Sequence, residues 1–371
     1  MKFNVSKQAL YNSLQRMIPV VPTKTTIPVL TNILFELSQN SLRLTGTDLE
    51  VSILTALDVL GEENGKAAFP AKKLFDLIRE LPDMPLRFEC DSANRLTIST
   101  EKGQYKISGE NSDEYPHIAA EEHERQFAYS ASGFIKLVEK TVFAVSTDEL
   151  RTTLMGVLLD LRSNELRMVA TDGHRLAKVQ DVSFSYNHEP VQVIMPVKAL
   201  QLLSRNIDQV EQMEIAISRD HITFMLGATT IYSKVINGHY PSYERVIPSD
   251  NNLTMQVERD LLSATVRRSS IFANQHTHQV RWQLAPNNLT LLAEDLESGG
   301  NSRETIPVDY AGDTLDIGYN ANYILEILRH VDTEQALFKL RDAGSAAIIE
   351  PLPQPEGLHY MMLLMPIRLN E

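Results

Sequence analysis

The sequence is poor in cysteine: one in 371 residues, Cys90. That excludes an intrachain disulfide framework and a metal site built from several thiolates. Long hydrophobic runs are missing too. No stretch approaches the ~20 apolar residues that cross a bilayer. The opening M-K-F-N-V-S-K-Q-A-L lacks the apolar core of a secretory signal. The expectation is a cytoplasmic protein without membrane contact. Nor is there a basic surplus: the formal net charge of −13, taken alone, argues against nucleic acid. Catalytic signatures are scarce. There is no G-x-S-x-G elbow, and G-E-E-N-G-K from Gly61 is one residue short of a phosphate loop and runs into Ala67. His276 and His278, in H-T-H, have no other obvious ligands. No metal and no cofactor are expected. Cys90, in the strand-like R-F-E-C-D, reads as a small core residue.

What is present is a threefold repeat. L-R-L-T-G-T-D-L-E begins at Leu42, L-R-M-V-A-T-D-G-H-R at Leu166 and L-T-L-L-A-E-D-L-E at Leu289. The aspartates in register, Asp48, Asp172 and Asp295, stand 124 and 123 residues apart. P-V-L-T-N-I-L-F-E-L from Pro28 echoes T-T-L-M-G-V-L-L-D-L from Thr152, and Tyr115-Pro116 echoes Tyr240-Pro241. Six segments with apolar residues at i, i+3 and i+4 read as helices, starting at Ser6, Pro70, Ser130, Pro196, Glu258 and Asn320. Several open on a Ser, Pro or Asn that suits a helix start. Alternating runs such as R-L-T-I-S-T lie between them. A repeated α+β chain follows, with three similar domains, residues 1–124, 125–250 and 251–371, joined near His123 to Phe127 and Pro248 to Leu253.

Charge divides by element type. The six helical segments hold 13 Lys and Arg against 6 Asp and Glu, a net of +7, which leaves −20 elsewhere. A basic helical surface in an acidic body suits a duplex held in a channel, retained by topology and free to slide on weak phosphate contacts.

The second copy of the repeat, A-T-D-G-H-R-L-A, places His174 beside Asp172, a pattern open to reading as base and orienting acid. Asp172 recurs in sister repeats that lack the histidine, which favours a structural turn. Gly173 is expected to turn the backbone where Asp48-Leu49 continues straight.

Taken together, M-K-F, T-G-T-D-L-E, A-T-D-G-H-R-L-A, Y-P-S-Y-E-R-V-I-P and M-P-I-R-L make the whole chain resemble the bacterial DNA polymerase III beta subunit, the sliding-clamp family. The resemblance implies three repeated DNA-clamp domains, each with two helices on one side of antiparallel sheets, in a ring-forming head-to-tail homodimer. It implies a non-catalytic processivity factor that encircles double-stranded DNA without sequence preference. It also implies a pocket for short hydrophobic motifs of the replicative polymerase alpha subunit, the clamp-loader delta subunit, and repair and translesion polymerases. Carried over by position, that pocket takes in Leu154, Thr171, Gly173, His174, Arg175, Leu176, Pro241, Arg245, Val246, Asn320, Tyr323, Met365, Pro366 and Ile367. Lys24, Arg151, Lys198 and Arg205 are the implied DNA contacts, with Thr152 and Thr153 where relatives often carry aromatics. Lys73, Tyr105, Ile107, Ile271, Phe272, Glu294 and Glu297 are the implied dimer contacts. The alternative is an interaction scaffold that uses the same pocket without encircling DNA.

Overall fold

The computed structural model describes residues 1–117, 125–207, 210–295 and 299–369. Glu297, the first half of the 123–127 junction, and Asn370 and Glu371 lie outside the described residues. Six α-helices form among the described residues: α1 (Lys7–Met17), α2 (Ala71–Glu80), α3 (Ala131–Glu139), α4 (Val197–Ser204), α5 (Arg259–Ser270) and α6 (Ala321–Arg329). Each begins one residue after the Ser, Pro, Glu or Asn that heads its repeat. The reason is local at two of them. The Asn320 side chain accepts from the amides of Asn322 and Tyr323, and Glu258 does the same for Asp260 and Leu261. Such caps satisfy helix amides that have no intrahelical partner, and an Asn cap contributes ~1 kcal/mol.

Two compact units result, one from Met1–Ile135 with Met195–Val235, the other from Lys136–Ile194 with Ile236–Glu371. Three sequence repeats give two units because strand pairing crosses the repeat boundaries. In the first unit an eight-stranded antiparallel sheet runs without a break from Arg125–Ser130 to Gly65–Pro70. Its central seam pairs Thr229–Lys234 with Val51–Asp58, Ile231 facing Ile53. A five-stranded sheet ends on Gln104–Ser108. Phe3 stacks on Phe88 at 4.9 Å within the five-stranded sheet, Phe35 meets Phe69 edge-on at 5.3 Å within the eight-stranded one, and Phe35 and Phe88 join the two sheets at 6.4 Å. Helices α1 and α2 lie side by side, with Tyr11 and Phe75 stacked at 5.6 Å.

The second unit repeats this plan. A nine-stranded sheet has its seam between Arg175–Asp181 and Leu358–Leu364, Val179 facing Tyr360. A four-stranded sheet ends on Gly300–Pro307. The fully buried Trp282 packs on Tyr319 at 5.1 Å and on Phe338 at 5.4 Å. Burying one such side chain contributes ~1.5–3 kcal/mol, which makes these clusters the main hold on each unit.

Three expectations need correction. Lys140, counted among the helical cations, is turned inward, pairs with Asp332 and lies 4.6 Å over the Tyr360 ring. Several other helical cations are held by neighbouring acids: Lys72 and Arg79 by Asp76, Arg268 by Glu304. The basic helical surface is therefore weaker than a count of residues suggests. Cys90 is half-buried at the end of its strand instead of in the core, and burial pushes its thiol pKa up. Among the described residues no helix is long and apolar enough to cross a membrane.

His330, after α6, stacks on Phe143 at 4.0 Å with the rings 9° apart. Burial lowers its pKa below 6.5; Lys140 and Arg175 act in the same direction, against Glu326 and Asp332. The unfolded chain therefore binds this proton more readily than the folded one. Stability is whole above about pH 6.5 and declines as the pH falls through the folded pKa. Urea denaturation at pH 7.5 and 5.5 should show this loss, and His330→Phe should shrink it; an unchanged difference would refute the assignment.

Candidate functional site

Residues 170–177 span the end of strand Glu165–Thr171, a turn and the start of strand Arg175–Asp181. Thr171 Oγ1 accepts from the Gly173 amide at 3.1 Å. Asp172 Oδ1 accepts from the amides of His174 at 2.8 Å and Arg175 at 3.0 Å. The first repeat builds the same turn. Thr47 Oγ1 accepts from Leu49, and Asp48 Oδ1 from Glu50 and Val51, at 3.0, 3.0 and 2.7 Å. Side-chain carboxylates commonly replace main-chain acceptors in this way at turns. Leu49 does not continue straight, contrary to expectation: its φ is 76°, beside 89° at Gly173. The left-handed backbone strains any side chain at this place, a strain the first repeat carries with Leu49. At residue 173 Arg151 adds a second, milder constraint. Its Nη1 donates to the Asp172 carbonyl at 2.8 Å, and a Cβ on residue 173 would stand 2.9 Å from that nitrogen.

Arg175 is buried behind the turn. Its Nε donates to Asp172 Oδ2 at 3.1 Å, Nη1 to Glu326 at 2.7 Å and Nη2 to the Phe143 carbonyl at 2.8 Å. Its guanidinium lies 4.7 Å from the Tyr323 ring centre. Asp172 is therefore committed to two amides and an arginine. The His174 ring stacks instead toward Tyr323, at 6.2 Å and 20°. The base-and-orienter reading of Asp172 and His174 has no geometry behind it. Among the described residues no group of three or more His, Cys, Asp or Glu could hold a metal ion.

Beside the turn opens a cavity of about 580 Å³. Of the expected pocket residues, Leu154, Thr171, Gly173, Arg175, Leu176, Pro241, Arg245, Val246 and Met365 line it. His174, Asn320, Tyr323, Pro366 and Ile367 do not. Asn320 is occupied as the α6 cap, Tyr323 underlies Arg175, and the Ile367 amide bonds Gly318 O at 2.8 Å. This second group adjoins the cavity through Arg175 and through Met365, whose amide bonds His174 O at 2.9 Å.

Several lining residues escaped the sequence reading. Ser242, Tyr243, Ile247 and Pro248 belong to the Y-P-S-Y-E-R-V-I-P motif and could have been taken from it. Leu363 belongs to the apolar run before Met365 and faces Leu176 across the seam. Arg341, Gly344, Ser345 and Ala346 come from a turn with no counterpart among the repeated motifs. Arg341 pairs at 2.5 Å with Asp250, which also lines the cavity.

The other expected residues lie elsewhere. Lys24, Lys198 and Arg205 are exposed in the first unit, Lys198 in a salt bridge with Asp48. Arg151 is held by Asp148 and the Asp172 carbonyl. Lys73 and Tyr105 are exposed in the first unit; Ile271, Phe272 and Glu294 are exposed in the second. Ile107 is 4% exposed within its own unit, opposite the buried Leu96; Tyr105, two residues earlier on the same strand face and opposite Ile98, is 36% exposed.

A beta sliding clamp of Pseudomonas putida is 32% identical over 371 residues, covering 100% of both chains. Family profiles match in three consecutive parts. They are the DNA polymerase III beta subunit N-terminal domain over residues 1–119, central domain over 129–242 and C-terminal domain over 244–368. The chain belongs to the DNA polymerase III beta subunit family. Solved sliding clamps of Pseudomonas aeruginosa agree. One crystallised with a ligand has a TM-score of 0.94 at 31% identity, and one bound to griselimycin has 0.93 at 30%, each covering 100% of both chains. As a DNA sliding clamp the protein is a non-catalytic accessory of DNA polymerase III.

Gly173→Ala should lower stability by about 1–2 kcal/mol, from the left-handed backbone and the approach to Arg151. Adding Arg151→Ala should relieve the steric part only. Denaturation of both variants checks this; no loss in Gly173→Ala would mean the turn tolerates a side chain.

Proposed function

We propose that the cavity is the docking site for short hydrophobic segments of the clamp's partners. Those partners are the replicative polymerase alpha subunit, the clamp-loader delta subunit, and repair and translesion polymerases. The observation that carries this is a preformed recess of about 580 Å³ walled by Leu154, Leu176, Val246, Leu363 and Met365, with arginines at its margin. Apolar walls supply affinity, methionine adapts to varied side chains, and a few polar groups set orientation. His174, Asn320, Tyr323, Pro366 and Ile367 form an adjoining contact for the same segment.

The dimer is head-to-tail and closes around duplex DNA in the cytoplasm, each chain contributing domains 1–124, 125–250 and 251–371. Two sheet edges support this: Gln104–Ser108 ends its sheet in the first unit, Gly300–Pro307 ends its own in the second. Ile271 at 76% exposure and Phe272 at 40% supply apolar contact. Heterologous contacts of this kind close rings. Lys24, Lys198 and Arg205 meet phosphates; Arg151, held internally, contributes less.

A fluorescein-labelled pentapeptide with three large apolar side chains should bind by anisotropy. Val246→Asp or Met365→Asp, both at exposed wall positions, should weaken it about tenfold or more. Unchanged affinity in both would dismiss the pocket. Point variants are preferable to deleting residues 365–369, since the Ile367 amide also covers the sheet edge at Gly318.

The DNA reading has its own test. With a matched loader and ATP, the clamp should stay on nicked circular DNA and leave once the circle is cut. Lys24→Glu with Arg205→Glu should reduce loading or retention while peptide affinity holds. Equal retention on circular and linear DNA would replace topology with direct binding.

A further inference from the structure

One wall of the cavity is the 3-10 turn Tyr243–Val246. It has little bonding of its own. Ser242 provides no side-chain cap, and the Arg245 amide reaches Ser242 O at 3.2 Å. So short a turn takes its position from what it is tied to. Tyr243, Arg245 and Val246 line the cavity, whereas Glu244 does not.

Behind the wall, on strands Gly156–Arg162 and Glu165–Thr171, lies a group of charges outside the cavity lining. Tyr243 donates its hydroxyl to Asp160 Oδ2 at 3.0 Å; that carboxylate is 2% exposed and also accepts from Arg162 at 2.9 Å. Arg167 Nη1 donates to Glu244 Oε1 at 2.6 Å and to Tyr243 Oη at 3.3 Å. Arg167 also pairs with Glu165, and Arg162 reaches Glu244 at 3.2 Å. Burial pushes the Tyr243 phenol up to about 12, so it stays a donor at working pH. Hydrogen bonding from Arg167 holds the Glu244 carboxyl below its usual range, so it stays an acceptor.

We propose that Arg167 is a positioning residue for ligand binding. It touches no ligand; from behind the wall it fixes Tyr243 and Glu244, and with them the placement of Arg245 and Val246 in the cavity. Networks of this kind act as a unit, so loss of one member is felt at the others. The inference rests on the reading of the cavity as the docking site.

The test uses full-length Glu244→Gln, Arg167→Met, Arg167→Lys and the double variant Arg167→Met/Glu244→Gln. Griselimycin and the labelled pentapeptide are the probes, and thermal denaturation runs in parallel. Arg167→Met should weaken both probes about tenfold, and Glu244→Gln about threefold with its melting temperature preserved. The double variant should be no weaker than Arg167→Met, and Arg167→Lys should recover part of the loss. Additive losses, or wild-type affinity in Glu244→Gln and Arg167→Met, would overturn the proposal. If Arg167→Met does not fold, Glu244→Gln decides alone, and unchanged affinity there overturns it. Full binding by Val246→Asp, or none by the wild type, would instead refute the docking site itself and this inference with it.

Discussion

The antiparallel pairing of strand Arg175–Asp181 with Leu358–Leu364 is the constraint on which the site depends. It sets Leu176 opposite Leu363 and Arg175 opposite Leu364, and so builds two of the cavity's apolar faces from residues far apart in the chain. A slip of one residue would turn every side chain on the seam to the other face. The same pairing ends with the Met365 amide on His174 O, which delivers the chain end to the cavity's edge. Two side chains then guard the register. Asp172 closes the turn that starts one strand, and the buried Arg175 ties that turn to Glu326 and to the Phe143 carbonyl. A buried guanidinium with its donors satisfied is a strong orienting group, because each partner lost leaves a desolvated charge.

Much of this was legible in the sequence, for physical reasons. The threonine–aspartate turn is a local device, so its residues recur together and give the period away. The helices are equally local: their apolar spacing, with side-chain caps at Glu258 and Asn320, places their starts to within one residue. What stayed hidden depends on tertiary placement. No spacing rule says that Ile107 is covered while Tyr105 on the same strand face stays exposed, or that Lys140 folds under to meet Asp332. The strand continuity that merges three repeats into two units arises from pairings such as Ile231 with Ile53, 178 residues apart. His174 looked functional because an acid stood two residues before it. The hydrogen bonds show that acid serving the main chain, a role common to Asp48 where no histidine follows.

Electrostatics shows the same division between composition and placement. Counted by residue, the helices are basic. Counted by partner, several of their cations are already neutralised, Lys198 by the turn residue Asp48 and Arg268 by Glu304. Exposed pairs of this kind contribute only ~0–1 kcal/mol to stability, and salt screens them. They lower the standing positive potential without locking the side chains in place. On the proposed reading, such a surface would hold a duplex weakly at any one position, which suits a protein that must travel along it, and would leave retention to ring closure and the choice of partner to the cavity.

The cavity in turn is held by two arginines of opposite design. Arg175 lines the recess and orders the turn beneath it, so its removal would change both surface and scaffold. Arg167 stands outside the lining and reaches the wall only through Tyr243 and Glu244. One combines contact with support; the other supports alone. A short 3-10 turn could not hold Val246 half-exposed above an apolar recess by its own hydrogen bonds. The charges behind it supply that rigidity, and a wall fixed before the ligand arrives leaves less conformational freedom to be lost on binding.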